Sequence, residues 1–172
     1  MSTPAPAIRP PSRRNTLVLA AVLFLIEVLL MNQGVIAGML AIYAVLALPH
    51  ALIARKFAGA RARRAGNLAI YLVAAVLALA CIRGNNALAR QRAEVVIAAV
   101  KAYHADNNRY PTKLEELVPR YLDSVPLAKY TLVLNKFTYY GGGQEALLYY
   151  VGLPPFGRPT YSFASGRWGY ID

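Results

Sequence analysis

Three stretches of this chain are nearly free of polar positions, and beyond the third the pattern turns first helical and then alternating. Leu17 to Met31 is interrupted only by Glu27, Val35 to Ala54 has Pro49 and His50 as its unusual members, and Asn67 to Ile82 is built mainly of Ala, Leu and Val. The hydrocarbon core of a bilayer takes about 20 residues of helix, within roughly 17 to 25. The second run meets that length outright. The first and third meet it when Thr16, Asn32, Ala65 and a snorkelling Arg83 extend their ends. The pattern therefore predicts three transmembrane helices in residues 16–85, after a tail of residues 1–15.

From Leu88 onward, Leu88, Val95, Ala99 and Ala102 or Tyr103 recur at helical spacing, with Val96 and Val100 widening the stripe and Arg90, Glu94 and Lys101 on the other face. If this helix continues the third membrane run, it extends from Asn67 to Ala105, about 39 residues and roughly 60 Å, with Gly84-Asn85-Asn86 as the place for a bend. Thr112-Lys113-Leu114-Glu115 has the form of a capping box opening a short helix that Pro119 stops. Alternating segments follow at Tyr130 to Asn135, Phe137 to Tyr140, Ala146 to Val151, Thr160 to Phe163 and Arg167 to Ile171, with Gly-rich or Pro-rich turns between them. Such short connections predict an antiparallel meander. The expected fold is a three-helix membrane region followed, over residues 86–172, by an α+β soluble domain with a long helix packed on an antiparallel sheet.

Charge gives this arrangement a direction. The connection between the second and third runs holds Arg55, Lys56, Arg61, Arg63 and Arg64, and the amino-terminal tail holds Arg9, Arg13 and Arg14, whereas Asn32-Gln33-Gly34 has no charge. Positive residues in short loops favour the cytoplasmic side, so the amino terminus is expected inside and the soluble domain outside. The first run ends without an Ala-x-Ala cleavage pattern, which predicts an uncleaved anchor.

The same distribution accounts for most of the net charge of +11: residues 1–85 carry nine basic residues and one acidic, residues 86–172 ten basic and seven acidic. That leaves little to suggest a nucleic-acid surface. The single cysteine, Cys81, falls inside the third run, so no intramolecular disulfide staples the soluble domain.

The chemistry-bearing residues do not converge on a catalytic set. The soluble part has one histidine, His104, no cysteine and scattered carboxylates, which predicts neither a zinc site nor an activated nucleophile, no cofactor and no enzyme. Glu27 is the one acidic residue within an apolar run, a functional candidate by position. Its possible roles are a hydrogen bond to Tyr43 or a reach toward the interface, a contact with another membrane protein, or proton coupling. Ten of the twelve tyrosines lie in the last 87 residues. Some must be core, while an exposed set would suit a protein or glycan partner, and Tyr139, Tyr140, Tyr149, Tyr150, Phe156 and Arg158 are the candidate contact residues.

One segment carries a family likeness. Val100-Lys101-Ala102-Tyr103-His104-Ala105-Asp106-Asn107-Asn108-Arg109-Tyr110-Pro111-Thr112, with Leu114-Glu115-Glu116-Leu117-Val118 after it, resembles the helix end and following loop of type II secretion major pseudopilins and related type IV pilin-like proteins. Asn108 stands where that family has glycine. The resemblance implies a pilin-like domain and an envelope protein partner from a secretion or pilus assembly, with homo-oligomers compatible. The chain departs from a pilin precursor in its two preceding membrane runs and in Tyr71 as the fifth residue after Gly66, and the family's calcium site has no matching residues. A pilin-like domain held at the membrane is the reading that follows. The alternative is a membrane-anchored module that binds a toxin, as an immunity protein does, or a cell-wall glycan.

Overall fold

A computed structural model describes residues 12–53, 58–142, 144–152 and 157–171, with only the backbone path at 50–53 and 58–61. Helix α1 (Arg13–Leu25) starts where the Ser12 hydroxyl accepts from the Asn15 amide at 3.3 Å. It continues as a π-helical stretch, Ile26–Met31, which ends at Asn32 in the left-handed conformation. Helix α2 (Val35–Ile53) runs back alongside, and helix α3 (Ala58–Asn107) carries the chain into the sheet domain. Two of these helical segments are long and apolar enough to cross a membrane, Arg13–Met31 and Ala62–Asn107; the apolar part of α2, Val35–Pro49, is shorter.

Helix α3 is one unbroken element of 50 residues, about 75 Å at 1.5 Å per residue. The expected bend at Gly84-Asn85-Asn86 does not interrupt it. Its first half packs on α2 and α1 through small side chains: Ala75 and Ala78 against Ala37, and Leu68 against Ala44, with Phe24, Val28, Leu40 and Leu79 around them. Small residues let helix backbones approach closely where lipid offers no hydrophobic drive to associate. Its second half buries Ala89, Ala93, Val96, Val100 and Tyr103. Val96, Ala99, Val100 and Tyr103 of the expected stripe are buried, whereas Val95 is exposed and Leu88 only half-buried. The sheet needs close approach, and the alanines provide it where a bulk-weighted pattern pointed to Val95.

A 3₁₀ turn, Leu114–Leu117, follows α3. The cap is displaced by one residue from the expected box: the Glu116 carboxylate, not that of Glu115, accepts from the amides of Thr112 (2.8 Å) and Lys113 (3.1 Å). Strands β1 (Thr138–Tyr140), β2 (Leu147–Tyr149), β3 (Arg158–Ser162) and β4 (Arg167–Ile171) form an antiparallel sheet in sequence order. Tyr139 faces Leu148, Leu148 faces Tyr161 and Tyr161 faces Trp168, so these four share the face that packs toward α3.

Tyr130 to Asn135, expected as a strand, is an irregular loop. Its polar groups are satisfied locally and by α3. The Asn85 side chain accepts from the Tyr130 amide (3.2 Å) and donates to the Tyr130 carbonyl (3.4 Å), the Thr131 hydroxyl donates to Val133 O, and the Asn135 amide group donates to Thr131 O. Leu134 lies at φ 58°, outside the strand region. The alternation of apolar residues there reflects a surface, not a ladder.

Candidate functional site

Because side chains alternate along a strand, the residues flanking the buried row of the sheet project to its far side. Tyr140 and Tyr149 are diagonal neighbours there, since Tyr140 pairs with Leu147 and Tyr149 with Thr138. Their rings stack with centroids 6.0 Å apart at 26°, and the Arg158 guanidinium lies 5.9 Å from the Tyr149 ring centroid. Tyr140 is 60% exposed. Contact with the Tyr140 hydroxyl, together with the positive charge of Arg158, lowers the Tyr149 hydroxyl from its usual range, while Tyr140 is raised by its contact with Tyr149. The result is an aromatic platform edged by a cation, suited to apolar or planar groups that carry negative charge or acceptors.

The candidate tyrosines therefore divide. Tyr150 is 4% exposed, with its ring packed edge-on to Phe137 and Trp168. Tyr139 faces inward, and its hydroxyl donates to Pro111 O at 3.0 Å. Burial raises the hydroxyl pKa of both. Adjacent residues in a strand face opposite ways, and this corrects the expectation that Tyr139 and Tyr150 belong to a contact surface. Phe156 lies outside the described residues, as do the Pro154-Pro155 loop and the side chain of His50.

Glu27 occupies the second distinctive position. Its side chain is buried at the tip between α1 and α2, where Oε1 accepts from the amides of Gln33 (2.9 Å) and Gly34 (2.6 Å) and Oε2 from that of Ile36 (2.7 Å). Three donors at the start of α2 have no helical partner, and this carboxylate supplies one for each. The expected bond from Glu27 to Tyr43 is replaced by these three backbone contacts, and Tyr43 packs edge-on against Tyr71 at 6.0 Å. Close by, the Lys129 ammonium is buried and donates to Asn32 Oδ1 at 3.4 Å. The sequence signal for Lys129 is its place as a lone lysine in an otherwise apolar and small-residue run.

The segment from Val100 to Val118 is held together at the end of α3. Asn108 takes φ 53°, and its amide donates to His104 O at 2.9 Å, a left-handed helix terminus that glycine or asparagine adopts readily. His104 stacks on Tyr110 at 4.2 Å. The Tyr121 hydroxyl and Arg120 both donate to Asp106 Oδ2 at 2.8 Å. Burial acts to raise the Glu116 carboxyl, but hydrogen bonds from the Tyr103 hydroxyl and the Thr112 and Lys113 amides, with Arg109 nearby, outweigh it and hold the group below the usual carboxylate range. These polar residues lock the 3₁₀ turn and the segment after it to the end of α3. Among the described residues, no three His, Cys, Asp or Glu side chains gather as metal ligands.

Compared with known proteins, the chain matches no family model, no curated protein and no solved structure.

Proposed function

We propose that this chain is a non-enzymatic protein of the bacterial inner membrane, with three transmembrane helices, that presents a pilin-like periplasmic domain to an envelope protein partner of a type II secretion or type IV pilus-related assembly. The observation that carries the partner reading is the platform of exposed Tyr140 and Arg158 with half-buried Tyr149, on a sheet whose opposite face is already occupied by α3. Stacked tyrosines offer contact area with few rotatable bonds to immobilise, a property of interface centres.

The membrane part of the reading draws support from two long apolar helical segments and from the antiparallel return of α2 between them, whose exposed side includes Met39, Ile42, Val45 and Leu46. Its orientation draws on the basic residues around the connection from α2 to α3. The pilin-like part draws on the order of long helix, short turn and antiparallel meander, and on the left-handed Asn108 at the position of the family glycine.

A photoreactive residue in place of Tyr140, irradiated in intact cells, is expected to capture an envelope protein, with capture lost on Tyr149→Ala. The same platform has the planar, cation-edged form that sugar rings stack on, which sustains the glycan reading. Capture of cell-wall fragments alone would establish that alternative, and capture of a toxin the immunity reading. Labelling of residue 140 only by reagents confined to the cytoplasm would overturn the orientation.

A further inference from the structure

The loop after Lys129 exposes a run of apolar side chains that the domain does not use. Leu132 is 70% exposed, Tyr130 65% and Val133 52%, with Leu134 beside them. Leu134 holds φ 58°, a conformation a branched side chain adopts at a cost, and the side chain so displayed is itself exposed. In a water-facing loop this arrangement would strain the backbone and expose hydrocarbon together. Its position decides what covers it. The Leu132 amide donates to the carbonyl of Leu29 at 2.7 Å, placing Leu132 beside the last turn of the first apolar segment, below the tip at Asn32. Leu29, Leu30 and Met31 are exposed there too, so the loop extends the apolar surface of the membrane helices without a break.

We infer that residues 130–134 form an interfacial anchor that inserts into the outer-leaflet lipid beside the α1–α2 tip, fixing the soluble domain against the membrane surface. The inference rests on the membrane reading given above. Two features fit lipid as the occupant. The loop turns polar groups inward: the amides of Ala128 and Lys129 bond to Asn135 O, the Tyr130 amide to Asn85, and the Thr131 hydroxyl to Val133 O. Lipid cannot satisfy such groups, so an inserting loop must satisfy them itself. Tyr130, under the Arg92 guanidinium at 4.3 Å, pairs an aromatic ring with a cation, as side chains at the headgroup level do. Arg83, exposed two residues before Asn85, adds a charge at the same level of α3.

The full chain, with its one native cysteine removed by Cys81→Ser, would carry a fluorophore at Leu132→Cys, Leu30→Cys, Val76→Cys or Tyr140→Cys in vesicles of phosphatidylethanolamine and phosphatidylglycerol. The expected result is that lipid bearing a quencher near its headgroup quenches the label at 132 as strongly as that at 30, while aqueous iodide quenches it at least about threefold less than the label at 140. Iodide quenching at 132 equal to that at 140, with the label at 76 still quenched by lipid bearing a quencher midway along its acyl chain, would overturn the anchor and leave the membrane reading intact. Absence of quenching at 76 by that mid-chain quencher would overturn both. The replaced side chain at 132 is exposed, so its loss removes no internal packing.

Discussion

The two halves of α3 use the same residue types in opposite ways. Toward its amino-terminal end the contacts are made by Ala75 and Ala78, and Val73, Val76 and Leu77 face outward. Toward its carboxyl-terminal end Ala89 and Ala93 again make close contacts, but Val96 and Val100 face inward, onto aromatic residues of the sheet. Fully burying one such valine or leucine is worth about 1.5–3 kcal/mol in water, a gain the first half forgoes at three positions within five residues. That is intelligible if lipid surrounds the first half and water the second, since hydrocarbon exposed to lipid loses nothing. Alanine serves both halves because close helix approach depends on size, whatever the solvent. The boundary lies where the polar residues collect: Glu27 and Asn32 at the helix tip, Asn85 on α3 and Lys129 on the loop above.

The strongest way to break the contrast is to remove the polar joint at that boundary. Glu27→Ala strips an acceptor from three backbone amides at once, and leaving a buried donor unpaired costs about 1–3 kcal/mol each. Unfolding of the full chain in detergent, followed by circular dichroism, is expected to show the largest single-site loss in the protein. Glu27→Gln, which keeps one carbonyl oxygen, should fall between Glu27→Ala and the parent. Equal stability of all three would show that water or detergent, and not this carboxylate, serves those amides. A transport assay in which Glu27→Gln lost activity at unchanged stability would instead favour proton coupling.

A smaller effect sharpens the contrast directly. Leu148, fully buried at the centre of the sheet, is expected to cost about 2–5 kcal/mol on Leu148→Ala. Val76, well exposed on the first half of α3, should change stability by no more than about 0.5 kcal/mol on Val76→Ala. Comparable losses at both positions, measured in one detergent, would mean that the outward valines pack against something, such as a second copy of the chain.

Legibility in the sequence followed the same boundary. Runs of apolar residues announced the long helical segments, and Gly141-Gly142 and Ala164-Ser165-Gly166 announced turns of the meander. Along the helix stripe Val96, Ala99, Val100 and Tyr103 are legible, but Val95 is exposed and Ala89 and Ala93 take the contacts at that end, because small side chains weigh little in a hydrophobic pattern. Tyr130 to Asn135 reads as a strand because alternation cannot distinguish a sheet face from a loop whose polar groups turn inward; Asn85, 45 residues earlier, and the local bonds of Thr131 and Asn135 make that difference. Of the candidate contact residues, Tyr140, Tyr149 and Arg158 come together because they lie across neighbouring strands, a relation that depends on register. Sequence names the residues, but register decides which of two adjacent tyrosines faces out.

Lys129 gives the finest test of the boundary, because its environment can be read by pH. Burial lowers its pKa from 10.5 to about 8 in the folded protein. Below about 8 both states carry the charge, and the burial penalty is felt in full. Between about 8 and about 10 the unfolded chain holds a proton that the folded one has lost, so stability rises with pH. Above about 10 Tyr139 and Tyr150, raised by burial, act in the opposite sense: unfolded tyrosines release their protons first, and stability falls. Denaturant unfolding across this range should therefore trace a rise and then a decline. Lys129→Met gives up only the long hydrogen bond to Asn32, and removes a buried charge that has no acidic partner within ion-pair distance among the described residues. It is expected to stabilise the protein at pH 7 and to flatten the rising limb while leaving the decline in place. A rising limb of unchanged slope in Lys129→Met would mean that Lys129 reaches water in solution, and that the loop does not seal the helix tip.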